Sequence, residues 1–123
     1  MKIELNKQLD KEVYSVFHAG STGGVDFGKI IQNDHPNITE TNYKQYIDDF
    51  YVANANELEK IRKDTELCFD EIKDILFSEL QRYFGQDYSK ENYICYISIF
   101  NCNPRYIESR SFQVYYRRSH DMR

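Results

Sequence analysis

Tryptophan is absent from this sequence of 123 residues, and proline (two), cysteine (three) and histidine (three) are scarce. An odd number of cysteines without the paired spacing of a metal site is typical of reduced thiols in the cytoplasm. The sequence has no apolar run of about 18 residues that would span a membrane, and its N-terminus lacks the apolar core of a signal peptide. We therefore expect a cytoplasmic protein without a membrane-spanning segment.

A large excess of either charge is also missing, since the net charge is −4. Its distribution is uneven: residues 1–104 carry −7, whereas residues 105–123 contain five arginines and carry +3. A basic, aromatic segment can bind nucleic acid, but so few arginines more often pair with acidic groups of their own domain. We therefore expect only weak, salt-sensitive nucleic-acid binding from this segment, through Arg110, Tyr115, Tyr116, Arg117 and Arg118.

Complete motifs for phosphate or zinc binding are missing as well. Residues 23–29 have most of the spacing of a phosphate-binding loop, but Ile30 stands where that loop needs Ser or Thr to bind Mg²⁺. The three histidines, His18, His35 and His120, form no ligand-spaced pair. The favoured interpretations are a surface loop and structural histidines.

Two sets of reactive side chains are further candidates. Cys102 lies close to Arg105 in sequence, and a neighbouring positive charge lowers the pKa of a thiol, but no residue stands out as its base. Glu66, Asp70 and Asp74 recur one helical turn apart and could bind a hard cation, yet a solvated helix face is the favoured interpretation. We therefore predict no catalytic residue and no metal ligand in this chain.

The strongest pattern present is an apolar stripe within residues 57–85. Gly85 is suited to the left-handed conformation that ends many helices. We predict a long helix over 57–84, preceded by a shorter helix over 41–53 and a break at residues 54–56. The stripe recurs in steps of three and four residues, as one face of an α-helix does: Leu58, Ile61, Thr65, Cys68, Ile72, Ile75, Leu76, Leu80, Tyr83 and Phe84.

β-branched and aromatic residues predict strands at residues 2–5 and 13–18. Residues 93–100 are apolar on both alternating faces, which is typical of a central strand. From residue 109 on the sequence has one apolar face, which predicts an antiparallel strand near an edge, joined to the central strand by a hairpin. We therefore predict a single α+β domain over residues 1–123, with a long amphipathic helix packed on a small, mostly antiparallel sheet.

The order of a long helix, the strand at 93–100, the segment Asn-Cys-Asn-Pro-Arg-Tyr at 101–106 and the strand at 111–116 resembles a known family. It resembles the N-terminal half of small bacterial proteins of the zincin type, which are metallopeptidase-like. In that family a helix packs on a short sheet whose edge strand binds extended substrate. The next helix carries the motif His-Glu-x-x-His, which provides two zinc ligands and a catalytic glutamate.

This sequence departs from that family because it contains no His-Glu-x-x-His motif. No catalytic residue can therefore be carried over, and the resemblance implies zinc only in a longer parent protein. What the resemblance does imply is an edge strand that an extended peptide or protein partner can join. The residues that would form this substrate-binding edge are Phe112, Val114, Tyr115 and Tyr116.

Two functions therefore stand as hypotheses. The first is the N-terminal portion of a zinc-metallopeptidase-like protein, a zincin-like subdomain that is catalytically incompetent by itself. The second is a small protein-interaction module that is complete at 123 residues. Under the first hypothesis one apolar face of the sheet would be bare, and we would expect the chain to self-associate as a homo-oligomer.

Overall fold

The computed structural model describes residues 1–22, 24–90, 92–101, 105–108 and 110–117. The predicted strand at 2–5 and the two predicted helices over 41–53 and 57–84 are confirmed, with small shifts at the helix N-termini. None of the described helices is long and apolar enough to cross a lipid bilayer. In chain order the elements are β1 (Lys2–Leu5), α1 (Lys7–Phe17), β2 (Ser21–Thr22), β3 (Val25–Asp26), α2 (Phe27–Asp34), α3 (Tyr43–Ala53), α4 (Ala55–Phe84), β4 (Ile94–Ser98), β5 (Arg105–Glu108) and β6 (Ser111–Tyr115).

The main sheet has the strand order β1-β4-β6-β5, and β2 and β3 form a separate short ribbon. β4 is the central strand, as predicted, and it pairs in parallel with β1 on one side and with β6 on the other. Only the pairing of β5 with β6 is antiparallel among the described strands of this sheet. The prediction of a mostly antiparallel sheet is therefore wrong.

The C-terminal strand β6 is parallel to β4 and is not joined to it by a hairpin, so those two predictions are wrong, and it lies one strand in from the edge of the sheet, not at the edge itself. After β4 the chain continues to the outer strand β5, and β6 then returns between β5 and β4. Phe112, for example, has Cys95 of β4 on one side and Tyr106 of β5 on the other. The apolar alternation of β6 indicates a buried face, but it carries no information about which strands lie beside it.

Residues 13–18, predicted as a strand, are mostly helical and belong to α1 or to the turn that ends it. The helix begins after Asn6, whose side-chain oxygen accepts a backbone N–H of the first turn at 3.0 Å. Its buried residues, Asp10, Val13 and Tyr14, lie on one face. The helical spacing of the whole segment therefore outweighs the strand propensity of its second half.

The sheet lies between helices on its two faces. Side chains alternate along a strand, so Cys95 and Phe112, which are paired across β4 and β6, share one face. α4 covers this face, because Phe112 lines a groove together with side chains of α4. Ser98 and Gln113 lie on the opposite face, where both bind Asp10 of α1. The second face of the sheet is therefore covered at the carboxyl end of β4.

α4 contains 30 residues and ends as predicted. Gly85 has a left-handed backbone with φ of 70°, and its N–H donates to the carbonyl of Gln81 at 2.8 Å. Leu58 and Phe69 are the buried residues of this helix. Cys68, predicted to face the core, is exposed instead, so the predicted stripe is only partly the face that packs on the sheet.

Candidate functional site

A polar cluster lies inside the core around Asp10, whose side chain is fully buried. Its carboxylate accepts hydrogen bonds from the hydroxyls of Tyr51 and Ser98. The N–H of Ile99 and the side-chain amide of Gln113 also point at it, at 3.4 Å and 3.3 Å. These donors belong to α3, β4, the residue after β4, and β6. Asp10 thus joins α1 to three separate parts of the core: α3, the end of β4, and β6.

The acidity of Asp10 reflects two opposing effects. Burial raises the pKa of its carboxyl to about 6, although the hydrogen bonds from Ser98, Tyr51 and Ile99 act to lower it. None of the ion pairs among the described residues includes Asp10. Neutral donors offset only a small part of the hydration free energy that the charged carboxylate loses on burial. The charged form is therefore disfavoured, and the pKa rises.

His35 is the second buried titratable group. Its Nε2 lies 2.8 Å from the carbonyl oxygen of Ile99, and its Nδ1 lies 2.8 Å from the hydroxyl of Tyr46. Because a carbonyl oxygen can only accept a hydrogen bond, the proton of the neutral imidazole lies on Nε2. The unprotonated Nδ1 then accepts a hydrogen bond from the hydroxyl of Tyr46. Burial lowers the pKa of His35. Three aromatic rings contact it: those of Phe50 and Phe100, each at 5.2 Å, and that of Tyr46 at 5.6 Å.

This polar cluster holds elements together and has no surface for a substrate. Asp10 and His35 are both buried, so a ligand cannot contact either group without opening the core. Catalytic acids and bases must reach the proton that they transfer. The arrangement therefore fixes the positions of α1, α3 and β4.

The second half of α4 is exposed to solvent. A helix of 30 residues is about 45 Å long, whereas the five residues of β4 span only about 17 Å. The helix therefore extends past the sheet, and none of its residues from 70 to 84 is buried. Ile75 is 70% exposed and Tyr83 is 73% exposed. With Cys68, Ile72 and Leu76 they form an apolar stripe that faces solvent.

A groove of about 320 Å³ runs beside this stripe, between α4 and the sheet. Leu76 belongs to both features and makes them one continuous apolar area. We call the stripe and the groove together the distal α4 surface. The described residues that line the groove are all apolar or aromatic: Met1, Leu76, Phe77, Leu80, Phe84, Tyr88, Tyr93 and Phe112.

The distal α4 surface is framed by acidic residues. Residues 64–84 contain six acidic and two basic side chains, so this segment carries a net charge of −4, equal to that of the whole chain. Lys73 and Arg82 lie near Asp70 and Glu79, at 3.6 Å and 3.7 Å. Glu71 forms no ion pair with any described residue. The electrostatic potential along the stripe is therefore negative.

The residues predicted to form a peptide-binding edge serve other purposes. Phe112 lines the groove, and Val114 is partly buried in the core. The hydroxyl of Tyr115 donates to Asp34 at 3.2 Å, and Tyr116 is buried against Phe50. β6 is paired with β4 along its whole length and with β5 at Ser111, Phe112 and Gln113, so Phe112 has a strand on each side.

The described arginines that the sequence suggested for nucleic-acid binding do not lie together. Arg110 precedes β6 and Arg117 follows it, so they lie at opposite ends of a five-residue strand. The guanidinium of Arg117 stacks on the ring of Tyr116, 5.2 Å from its centroid. Arg118 lies outside the described residues. The described part of the chain therefore does not form a continuous basic surface there.

The loop with phosphate-binding spacing has a different role. Asp26 caps α2 by accepting the N–H of Lys29 at 3.0 Å, and its charge occupies the helix N-terminus where a phosphate would bind. Gly28 lies so close to α1 that a Cβ built on it would be 2.4 Å from the carbonyl oxygen of His18. The glycine is therefore needed for the contact between α1 and α2.

The candidate metal ligands that the structure describes make structural contacts. The imidazole of His18 bonds to the carbonyl of Tyr14 at 2.9 Å and stacks on its ring. Glu66 pairs with Arg62 at 2.8 Å, as expected for a solvated helix face. Within the described ranges no three His, Cys, Asp or Glu side chains are grouped to hold a metal ion. Cys102 and His120 lie outside those ranges.

Sequence reasoning missed both the buried cluster and the exposed stripe. The partners of Asp10 come from distant parts of the chain, so no local pattern marks it. The spacing of the stripe predicts a core position because the stripe continues the buried face of α4. The signal that would have found it is length, since a helix of about 40 Å cannot be covered along its whole length by strands of five residues.

Comparison with known proteins gave no match: no protein-family model fits the chain, and neither the curated proteins nor the solved structures compared with it are significantly similar. The resemblance to the zincin type therefore stays a prediction, and no family is assigned to this chain.

Proposed function

We propose that this chain is a protein-interaction module that binds a helix of its partner on the distal α4 surface. The observation that carries the proposal is the exposure of Ile75 and Tyr83 beside an apolar groove. Exposed apolar areas of this kind are typical of binding sites, because they are costly to leave in water. A module of this kind was the second hypothesis drawn from the sequence.

A helix is the form of partner that this surface fits. The stripe extends from Cys68 to Tyr83 along one helix, a distance of about 22 Å at 1.5 Å per residue. The groove runs along the same helix and gives a depression for side chains of the partner. An amphipathic helix laid into such a groove contacts it through residues three and four positions apart. The two elements then pack as helices in a bundle do.

The metallopeptidase hypothesis rests on the resemblance alone. At Phe112, one residue of the peptide-binding edge that the resemblance implied, β6 is already paired with β5. Zinc in a longer parent protein and a cytoplasmic location stay predictions. The interaction module is preferred because it uses a surface that the fold leaves uncovered, whereas the buried polar cluster gives an enzyme no accessible group.

The test is direct binding of a synthetic probe. The probe is an amphipathic helical peptide of about 15 residues with leucines along one face and lysines beside them, and the measurement is fluorescence anisotropy. We expect one-to-one binding that is lost in Ile75→Asp. Val52→Asp is the control, since Val52 is an equally exposed apolar residue on α3, 78% exposed. Circular dichroism and thermal unfolding verify that both variants fold.

Two results would contradict the proposal. Undiminished peptide binding by Ile75→Asp would place the contact elsewhere. A concentration-dependent dimer in sedimentation that Ile75→Asp abolishes would show that a second copy of this chain covers the surface, in place of a different protein.

A further inference from the structure

The geometry points to a basic partner: we infer that Glu71 and Glu79 select a helix that presents lysine or arginine on either side of an apolar anchor. This inference rests on the proposed function. The two carboxylates lie one helical turn before and one turn after Ile75, which puts the three residues in a row along α4. The most exposed aliphatic side chain of the stripe is thus flanked by two negative charges.

Both carboxylates are available to a partner. Glu71 is exposed and makes no ion pair with the described residues. Among the described residues, the one ion pair of Glu79 is with Arg82 at 3.7 Å, and the Arg82 side chain is 72% exposed. An exposed pair at this distance contributes little stability, so a partner cation can displace it. The two groups keep most of their capacity to accept hydrogen bonds.

Charge also decides between a basic partner and a second copy of the chain. If two α4 helices packed antiparallel around Ile75, Glu71 of one copy would face Glu79 of the other. If they packed in parallel, Glu71 would face Glu71. Either arrangement brings like charges together between segments that each carry −4, which disfavours the pairing. A helix with lysine or arginine at these positions replaces that repulsion by attraction.

The basic helix must therefore carry its cations about two turns apart. An apolar side chain between them packs on Ile75, and the next apolar residue along its face enters the groove beside Leu76. Charged pairs at the rim of such an interface mainly select the partner and accelerate its binding, while the apolar contact provides most of the affinity.

The experiment exchanges the charges on both sides of the interface. Two helical peptides share one leucine face and differ only at the flanking positions, which are lysine in one and glutamate in the other. Each peptide is titrated by fluorescence anisotropy into the unaltered protein and into the double variant Glu71→Lys/Glu79→Lys. The control is Glu12→Lys/Asp49→Lys, which changes the net charge equally at exposed positions on α1 and α3.

We expect the unaltered protein and the control to bind the lysine peptide about five to ten times more tightly than the glutamate peptide, the size expected for two exposed charge pairs. The Glu71→Lys/Glu79→Lys variant should prefer the glutamate peptide instead. The preference should decrease as salt is added, because exposed charges are screened.

The possible failures are distinguishable. If both peptides bind the unaltered protein equally and Ile75→Asp abolishes both, the charge selection is wrong and the proposed function stands. The same conclusion applies if the control double variant inverts the preference as the Glu71→Lys/Glu79→Lys variant does. If neither peptide binds the unaltered protein, or if Ile75→Asp has no effect, the proposed function is wrong and this inference with it.

Discussion

Asp10 and His35 are both hydrogen-bonded to the backbone of Ile99: the N–H of Ile99 donates to the carboxylate of Asp10 at 3.4 Å, and its carbonyl accepts from Nε2 of His35 at 2.8 Å. Each of these buried groups also accepts a tyrosine hydroxyl from α3, Tyr51 for Asp10 and Tyr46 for His35. The position of α3 against the end of β4 is therefore set by two titratable side chains.

The first prediction concerns pH and Asp10. Its pKa is raised from 3.8 to about 6 by folding, so the folded protein binds this proton more tightly than the unfolded chain does. The resulting stability is fully present below pH 3.8, decreases as the pH rises, and is lost above about pH 6. The loss corresponds to about 3 kcal/mol of the free energy of unfolding. Urea unfolding of the unaltered protein and of Asp10→Asn at several pH values measures it.

Asp10→Asn should flatten the decrease between pH 4 and pH 6 because an amide does not titrate there. Asp48→Asn is a control with the opposite sign, since hydrogen bonding to Lys11 lowers the pKa of Asp48. Its contribution is present above pH 3.8 and is lost as the pH falls below that value. Parallel pH profiles of Asp10→Asn and the unaltered protein would contradict this assignment.

The second prediction concerns the hydroxyl of Tyr51. Tyr51→Phe removes one donor from the buried carboxylate of Asp10 while it keeps the ring in place. We expect the free energy of unfolding at pH 7 to fall by about 1–3 kcal/mol, the cost of leaving a buried polar group unsatisfied. The pKa of Asp10 should also rise, because this hydrogen bond lowers it.

Tyr83→Phe is the matched control, since that hydroxyl is on a side chain exposed to solvent. Chemical denaturation gives the free energies, and the pH at which stability changes gives the pKa. If the two variants are equally stable, the hydroxyl of Tyr51 does not contribute to the core.

The third prediction concerns the contact between α1 and α2. Gly28→Ala places a Cβ 2.4 Å from the carbonyl oxygen of His18, so the backbone of one helix end must move. We expect a loss of about 1–3 kcal/mol, the usual cost of overpacking. Gly20→Ala is the control, because a Cβ at Gly20 has nothing within 4 Å. Equal thermal stability of the two variants would show that α1 and α2 do not approach so closely.

Some of the fold could be predicted from the sequence because the signals are local. The long helix, its end at Gly85, the break before it and the central strand each follow from spacing or from the conformational freedom of one residue. The segment at 13–18 was misassigned because its β-branched and aromatic residues also fit one face of a helix. Local propensity cannot decide between the two when packing does.

The sheet topology and the candidate site could not be predicted in the same way. Which strand lies beside β6 depends on the path of the chain from β4 through β5, and no property of residues 111–115 carries that information. Asp10 resembles any surface acid until its donors from α3, β4 and β6 are brought together. The exposed apolar stripe of α4 continues the buried apolar face of the same helix in sequence. Only the position of the sheet decides which part of the helix is buried.

The most direct test of the proposed docking surface is an NMR titration of the isotope-labelled protein with the lysine-flanked helical peptide. We predict that amide shifts change along residues 68–84 and near Tyr93 and Phe112, which line the groove, and that amides of α1 and α2 stay unchanged. The same titration of Ile75→Asp should give no shifts. Changes concentrated in α1 and α2, with residues 68–84 unaffected, would contradict the account.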